Sequence, residues 1–205
     1  MPQVQNTVNL GSKALIALGS NVSSKHGSPL QTLQKSINLL GSAPLTILAK
    51  SSLYFSPCFP AGAGPDYVNA LILVQTSLNP TEVLATLHRV EAELDRDRPS
   101  RWAPRTLDLD LITMDQKILP DQSTLQKWIN LPLEDQKTAS PETLILPHPR
   151  VQDRAFVLVP MAEIAPEWQH PLTGLTCLQM LDALPKSDRA AVRILTQQEL
   201  KNAAS

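Results

Sequence analysis

The sequence predicts an α+β domain built on an antiparallel sheet. Three observations carry this reading. Apolar runs of strand length recur along the first 114 residues, bounded by turn-forming residues. Two of the intervals between them open on one pattern: a capping Ser or Asn, a Pro at the first helical position, and Gln or Glu at the third. Hydrophobic residues make up 42% of the chain, enough to bury a core.

The elements follow in order. Met1 to Lys13 reads as a polar arm. Ala14 to Leu18 is a short buried strand, closed by Gly19-Ser-Asn21 as a turn. Ser28-Pro29-Leu30-Gln31 opens a helix whose apolar stripe is Leu30, Leu33, Ile37 and Leu40, with Gly41 at its stop. Leu45 to Phe55 alternates as a strand. Ser56 to Pro65 is a loop rich in Pro and Gly, and Tyr67 to Thr76 is the next strand. Asn79-Pro80-Thr81-Glu82 opens a second helix carrying Val83, Leu87, Val90 and Leu94. Leu107 to Met114 is a fourth strand. This β-α-β-β-α-β order is ferredoxin-like, with an antiparallel sheet and helices on one face. Leu119 to Thr143 is polar and reads as a surface insertion with little core of its own. Phe156 to Met161 is an apolar run, a last helix is expected over Leu175 to Leu184, and a polar tail follows.

Composition narrows the function. With 18 Lys+Arg against 19 Asp+Glu the net charge is −1, which excludes a generally basic nucleic-acid binder. No apolar run reaches the roughly 18 residues of a membrane span. Met1 to Lys13 lacks the pattern of a secretory leader. Cys58 and Cys177 form neither a disulfide framework nor a zinc cluster, so a reducing, cytoplasmic setting is expected. His26 and His170 read as surface residues, and Trp128 and Trp168 as packing groups.

The most informative stretch is Arg101-Trp-Ala-Pro-Arg-Thr-Leu-Asp-Leu-Asp-Leu-Ile112. On a strand, Asp108 and Asp110 share one face while Leu107, Leu109 and Leu111 share the other. Adjacent carboxylates repel unless a cation or partner sits between them, and hard oxygen ligands suit Mg²⁺. Arg96, Arg98, Arg101 and Arg105 lie just upstream, and guanidinium groups grip phosphate oxygens through paired hydrogen bonds. Together they point to a polyphosphate held through magnesium. Taken alone, the aspartates also fit a solvated strand face, and the arginines a basic loop balancing Glu91, Glu93, Asp95 and Asp97. Neither a P-loop nor the protein-kinase motif set is present. An RNA-binding sheet shares the element order, although the aromatic string of the RNA-binding module is missing.

The run Arg101 to Asp110 resembles the 6-hydroxymethyl-7,8-dihydropterin pyrophosphokinases of folate biosynthesis. Leu18-Gly-Ser-Asn21, Pro65-Asp-Tyr-Val-Asn-Ala70, Leu146-Pro-His-Pro-Arg150, Arg154-Ala-Phe156 and Glu163-Ile-Ala-Pro166 support it. The resemblance covers roughly Ala14 to Leu184 and implies one domain over that span, with 119–143 as an insertion and 1–13 and 185–205 as tails. It implies transfer of pyrophosphate from ATP to the pterin hydroxymethyl group with release of AMP; a nucleotide- or pterin-binding protein that has lost catalysis is the alternative, against which the two aspartates and the arginines argue.

By that resemblance, Asp108 and Asp110 hold two Mg²⁺ ions, and Asp108 also faces the pterin. Arg96 and Arg98 belong to a catalytic mobile loop, in which Pro99 is a departure that would stiffen the segment. Arg98, Arg101, Trp102 and Arg105 contact ATP, as do Glu91, Leu111, His148 and Arg154. Ser56, Pro57, Phe59, Tyr67, Asn69 and Phe156 surround the pterin, with Tyr67 and Phe156 packing on the flat ring and Asn69 offering an amide donor and acceptor to its edge. The substrates are small molecules, with no nucleic acid or membrane partner. A single-function monomer is expected.

Overall fold

The computed structural model describes residues 11–58, 62, 64–94, 106–132, 135 and 139–204. The elements are β1 (Ser12–Ser20), α1 (Pro29–Ser42), β2 (Thr46–Lys50), β3 (Tyr54–Ser56), β4 (Tyr67–Thr76), α2 (Pro80–Glu93), β5 (Asp108–Met114), α3 (Gln122–Ile129), α4 (Ala155–Ile164), α5 (Cys177–Ala183), α6 (Lys186–Ala191), β6 (Arg193–Ile194) and α7 (Gln197–Ala204). The six strands form one sheet in the order β5-β1-β4-β3-β6, with β2 also paired to β4. The pairings are antiparallel. No helix among the described residues is long and apolar enough to cross a membrane.

Both capping boxes form. Gln31 N donates to Ser28 Oγ at 3.4 Å, and Ser28 N donates to Gln31 Oε1 at 2.8 Å. At the second helix, Glu82 N donates to Asn79 Oδ1 at 3.0 Å and Asn79 N donates to Glu82 Oε2 at 2.7 Å. Each box satisfies two orphan N–H groups of a first turn.

The single strand expected over Leu45 to Phe55 is two, β2 and β3, both against β4. Ser51 sits at the break. Its N–H donates to Leu71 O at 2.9 Å, and its Oγ accepts from Leu71 N at 2.9 Å. A side chain thus replaces one rung of the ladder. Gly19, expected in a turn, lies inside β1, paired with Asn69 on one side and Asp108 on the other.

The sheet is covered on both faces. One face packs α1 and α2 through Ile16, Leu18, Ile72, Leu33, Leu87 and Leu109. The other packs α4 and α5 through Leu15, Leu71, Ile112, Val157, Leu158, Met161 and Met180. Burying each such side chain contributes about 1.5–3 kcal/mol. The apolar run over Phe156 to Met161 is therefore the body of α4. It is apolar nearly all round and has Pro160 inside it, so it shows no helical period.

The segment after Leu184 corrects the expectation of a tail. Strand β6 pairs with β3, matching Tyr54 with Ile194 and Phe55 with Arg193. The Arg193 guanidinium lies 4.6 Å from the Phe55 ring centroid and holds both carboxylate oxygens of Glu199. Polar contacts and a two-residue strand keep this segment in place, so hydrophobic periodicity could not reveal it. Within the insertion, α3 buries Leu125 completely. Arg150 donates to Ile129 O and Leu131 O, each at 3.4 Å, at the end of that helix.

Candidate active site

Residues directly opposite in an antiparallel ladder share a face. The register therefore lays Asp108, Gly19, Asn69 and Tyr54 in one row across β5, β1, β4 and β3. A second row pairs Ser56 with Tyr67, and Asp110 lies opposite Ala17. All these side chains project to the face that carries α4. Neighbouring strands are about 4.8 Å apart, so Asp108 and Asn69 stand about 10 Å apart with only Gly19 between them.

Asp108 and Asp110 are half-buried. Arg154, which precedes α4, places Nη1 3.5 Å from Asp110 Oδ2, and its guanidinium lies 5.6 Å from the Phe156 ring centroid. Phe156 is 37% exposed. Helix α4 thus brings one cation and one open aromatic ring to the end of the sheet that bears the two carboxylates.

His148 is anchored by its own backbone, its N–H donating to Ile112 O at 2.8 Å. Its Nδ1 accepts from Arg150 N at 3.0 Å, which leaves the proton of the neutral ring on Nε2. Burial, then the Arg154 charge, push its pKa down to about 3. At neutral pH His148 is an uncharged Nε2–H donor.

On the other side of Gly19, Asn69 and Ser56 are both 4% exposed, and Asn69 Nδ2 donates to Ser56 Oγ at 2.8 Å. Ser56 thereby holds the Asn69 amide in place. A Cβ added at Gly19 would lie 3.4 Å from Asn69 Oδ1 and 3.7 Å from Tyr67 Cδ1. The missing side chain leaves a shallow cradle floored by β1, with Asn69 and Tyr67 on one rim and Asp108 on the other. In the sequence Gly19 reads as a turn signal and as part of the Leu18-Gly-Ser-Asn21 motif. Its register opposite Asp108 becomes visible only once β1 is seen to extend to Ser20.

The side chains of two expected nucleotide contacts, Leu111 and Glu91, are buried. Leu111 points into the core on the α1–α2 side, 4% exposed. Glu91 is 2% exposed, and its Oε1 accepts from Leu109 N at 2.7 Å. That carboxylate secures β5 between the two aspartates. Replacing Glu91 with Ala should leave a buried strand N–H unsatisfied and cost about 1–3 kcal/mol. A thermal melt checks this: an unchanged Tm would mean the bond contributes nothing, and Gln in place of Glu91 should recover part of the loss. Pro57 is exposed at the start of its loop. Phe59, Arg96, Arg98, Arg101, Trp102 and Arg105 lie outside the described residues.

His170 corrects another expectation. It is 1% exposed, and its Nδ1 accepts from Leu172 N at 3.2 Å and Thr173 N at 3.4 Å. Burial lowers its pKa. Folding thus holds both His170 and His148 neutral, whereas the unfolded imidazoles titrate near 6.5. Below that pH the unfolded chain binds more protons, so stability falls as pH drops. Asp121 is pulled down to about 2 by hydrogen bonds from Ser123 and Thr124, and Glu199 to about 2 by Arg193 and Thr196. Those carboxylates lose their contribution only below about pH 4.5. We expect Tm to be flat from about pH 7 to 8 and to fall between about 6.5 and 5; above about pH 9, where the unfolded Cys177 thiol and then the Tyr54 phenol lose protons that the fold retains, Tm should fall again. The His170→Asn variant, which keeps an acceptor at Nδ1, should flatten part of the fall on the acid side. A wild-type Tm that is constant across that acid window contradicts the assignment.

Residues 15–166 match the family described as 7,8-dihydro-6-hydroxymethylpterin-pyrophosphokinase. The chain belongs to this family. Among its relatives is the 2-amino-4-hydroxy-6-hydroxymethyldihydropteridine pyrophosphokinase of Synechocystis sp., 37% identical over 82% of this chain and 74% of the relative. The enzyme of the same name from Pseudomonas aeruginosa is 32% identical, over 84% of this chain and 92% of its own. That from Bacillus subtilis is 33% identical, over 78% and 83%. Among solved structures, the wild-type Plasmodium falciparum HPPK-DHPS matches with a TM-score of 0.59 at 13% identity, over 83% of this chain. That likeness concerns the fold, and this chain spans only 44% of the Plasmodium one.

Proposed function

We infer that this chain transfers pyrophosphate from ATP to the hydroxymethyl group of 6-hydroxymethyl-7,8-dihydropterin, releasing AMP, in folate biosynthesis. The observation that carries the reading is the row Asp108–Gly19–Asn69. A cradle for a flat ring lies beside two carboxylates, and an aromatic ring and a guanidinium stand above their end of the sheet.

The parts divide the work. Tyr67 and Phe156 supply ring faces for the pterin, and Asn69, held by Ser56, reads the polar edge of the heterocycle. Backbone groups of Ser56 and Pro57 border the same slot. This orientation directs the hydroxymethyl oxygen toward the aspartate side, where it attacks the β-phosphorus of ATP. The bond from that phosphorus to the bridging oxygen of the α-phosphate breaks, AMP leaves, and the hydroxyl proton is lost. Arg154 and the Nε2–H of His148 bind phosphate oxygens, with Arg101 and Arg105 adding charge and Arg96 and Arg98 completing the site. Holding two reactants in line can supply much of the barrier reduction.

The donor set fits Mg²⁺. Asp108 and Asp110 are hard oxygen ligands on one strand face, and no group of three or more His, Cys, Asp or Glu side chains surrounds a point among the described residues. Mg²⁺ is commonly held by one or two carboxylates plus phosphate oxygens and water. We assign two Mg²⁺ ions to this pair. When bound, they neutralise phosphate charge that grows at the reacting oxygens. We also read the chain as a cytoplasmic monomer acting on small molecules.

Incubation with ATP, Mg²⁺ and the pterin tests the reading, with nucleotides and pterins separated afterwards. Pterin-dependent AMP with matching pterin diphosphate is the expected result, abolished by chelation and restored by Mg²⁺. ADP as product, or ATP binding without turnover, would overturn it.

A further inference from the structure

We propose that Glu163 is a positioning residue for the pterin slot, tying the helix that carries Phe156 to the strand that carries Ser56. The inference rests on the pterin reading above. Glu163 lies near the C-terminal end of α4, seven residues from Phe156. Seven residues are close to two turns, so both side chains leave the same side of the helix.

The Glu163 carboxylate collects three hydrogen bonds from the other wall. Oε2 accepts from Ser52 N at 2.8 Å and from Tyr54 Oη at 2.9 Å, and Oε1 accepts from Ser52 Oγ at 3.0 Å. Tyr54 is 6% exposed and lies on β3, opposite Asn69 and on the same strand face as Ser56. Burial and the Glu163 carboxylate push its pKa up to about 12, so it remains a donor throughout the working pH range.

Helix α4 is therefore fastened at both ends. Arg154 meets Asp110 on β5, and Glu163 meets Ser52 and Tyr54 beside β4. The apolar contacts between these points hold the helix on the sheet, but apolar packing is non-directional. The three directed bonds fix how far α4 leans toward β3, and with that the gap between Phe156 and the Ser56–Asn69 pair.

The test compares steady-state constants for both substrates in Glu163→Ala, Glu163→Gln and the double variant Ser52→Ala with Tyr54→Phe. Gln keeps one oxygen for Ser52 N and Tyr54 Oη, and its amide can donate to Ser52 Oγ. The Ala variant should raise KM for the pterin about tenfold, with kcat within about twofold and KM for ATP unchanged. Gln should stay within about threefold of wild type, and the double variant should follow Ala in direction. Because the double variant removes bonds from the opposite side, it carries the test if the Ala variant fails to fold. An unchanged pterin KM overturns the role. So does a KM for ATP that rises in step, which signals general loosening, or a Gln variant as impaired as Ala, which signals charge rather than geometry. A wild-type protein without pterin-dependent AMP instead removes the functional reading, and this inference with it.

Discussion

Changing Asp108 or Asp110 to Asn should lower turnover at least about 10³-fold, because each change removes several kcal/mol of charge stabilisation at the reacting phosphate. The fold should not suffer. Two carboxylates at alternate positions of one strand stand about 6.6 Å apart and repel each other. Removing one charge relieves that repulsion. At Asp110 the change also gives up the Arg154 contact at 3.5 Å, but both partners are about one-third exposed. Such a pair contributes about 0–1 kcal/mol. Thermal melts should therefore show Tm within a few degrees of wild type for both Asp108→Asn and Asp110→Asn. Loss of activity without loss of stability is the signature of a pair kept for chemistry. Near-normal AMP formation in either variant would remove that aspartate from the catalytic centre.

How much of this was legible in the sequence depended on the kind of signal. The two capping boxes, the alternation around Asp108 and Asp110, and the β-α-β-β-α-β order are local patterns, and local patterns survive without coordinates. Helix α4 lacked one. A helix buried on most sides has no polar face to set a period, and Pro160 argued against helix. Glu91 enters as a nucleotide contact through the family resemblance, and its bond to Leu109 N is a long-range contact that no spacing encodes. His170 sits among polar residues yet is buried, because the turn around it folds back to supply N–H donors to Nδ1.

The site shows the same division. Motifs point to Tyr67, Asn69 and Phe156, and the family resemblance adds Ser56. What joins them is register: Asn69 opposite Tyr54, Ser56 opposite Tyr67, Gly19 between Asn69 and Asp108. Cross-strand pairing depends on where each strand begins and on how the Ser51 break is accommodated, and these are settled by packing rather than by sequence neighbours.

Gly19 gives the sharper test of that register. A Gly19→Ala variant should fold as well as wild type or better. Its φ does not lie in the left-handed region, and the new Cβ would make ordinary contacts at 3.4 Å with Asn69 Oδ1 and 3.7 Å with Tyr67 Cδ1. Ala also loses less chain entropy than Gly on folding, a gain of about 0.4–1 kcal/mol. The methyl would nonetheless stand on the sheet face where the pterin ring must lie. Forcing one extra methyl into a packed contact costs about 1–3 kcal/mol, and the midpoint of that range is about a 30-fold loss of affinity. We therefore expect KM for the pterin to rise about 30-fold or more, with KM for ATP little changed and Tm equal or higher. The aspartate variants should lose kcat; the glycine variant should lose pterin binding. An unchanged pterin KM in Gly19→Ala would mean that the ring lies somewhere other than over β1, and the row from Asp108 to Asn69 would no longer define the slot.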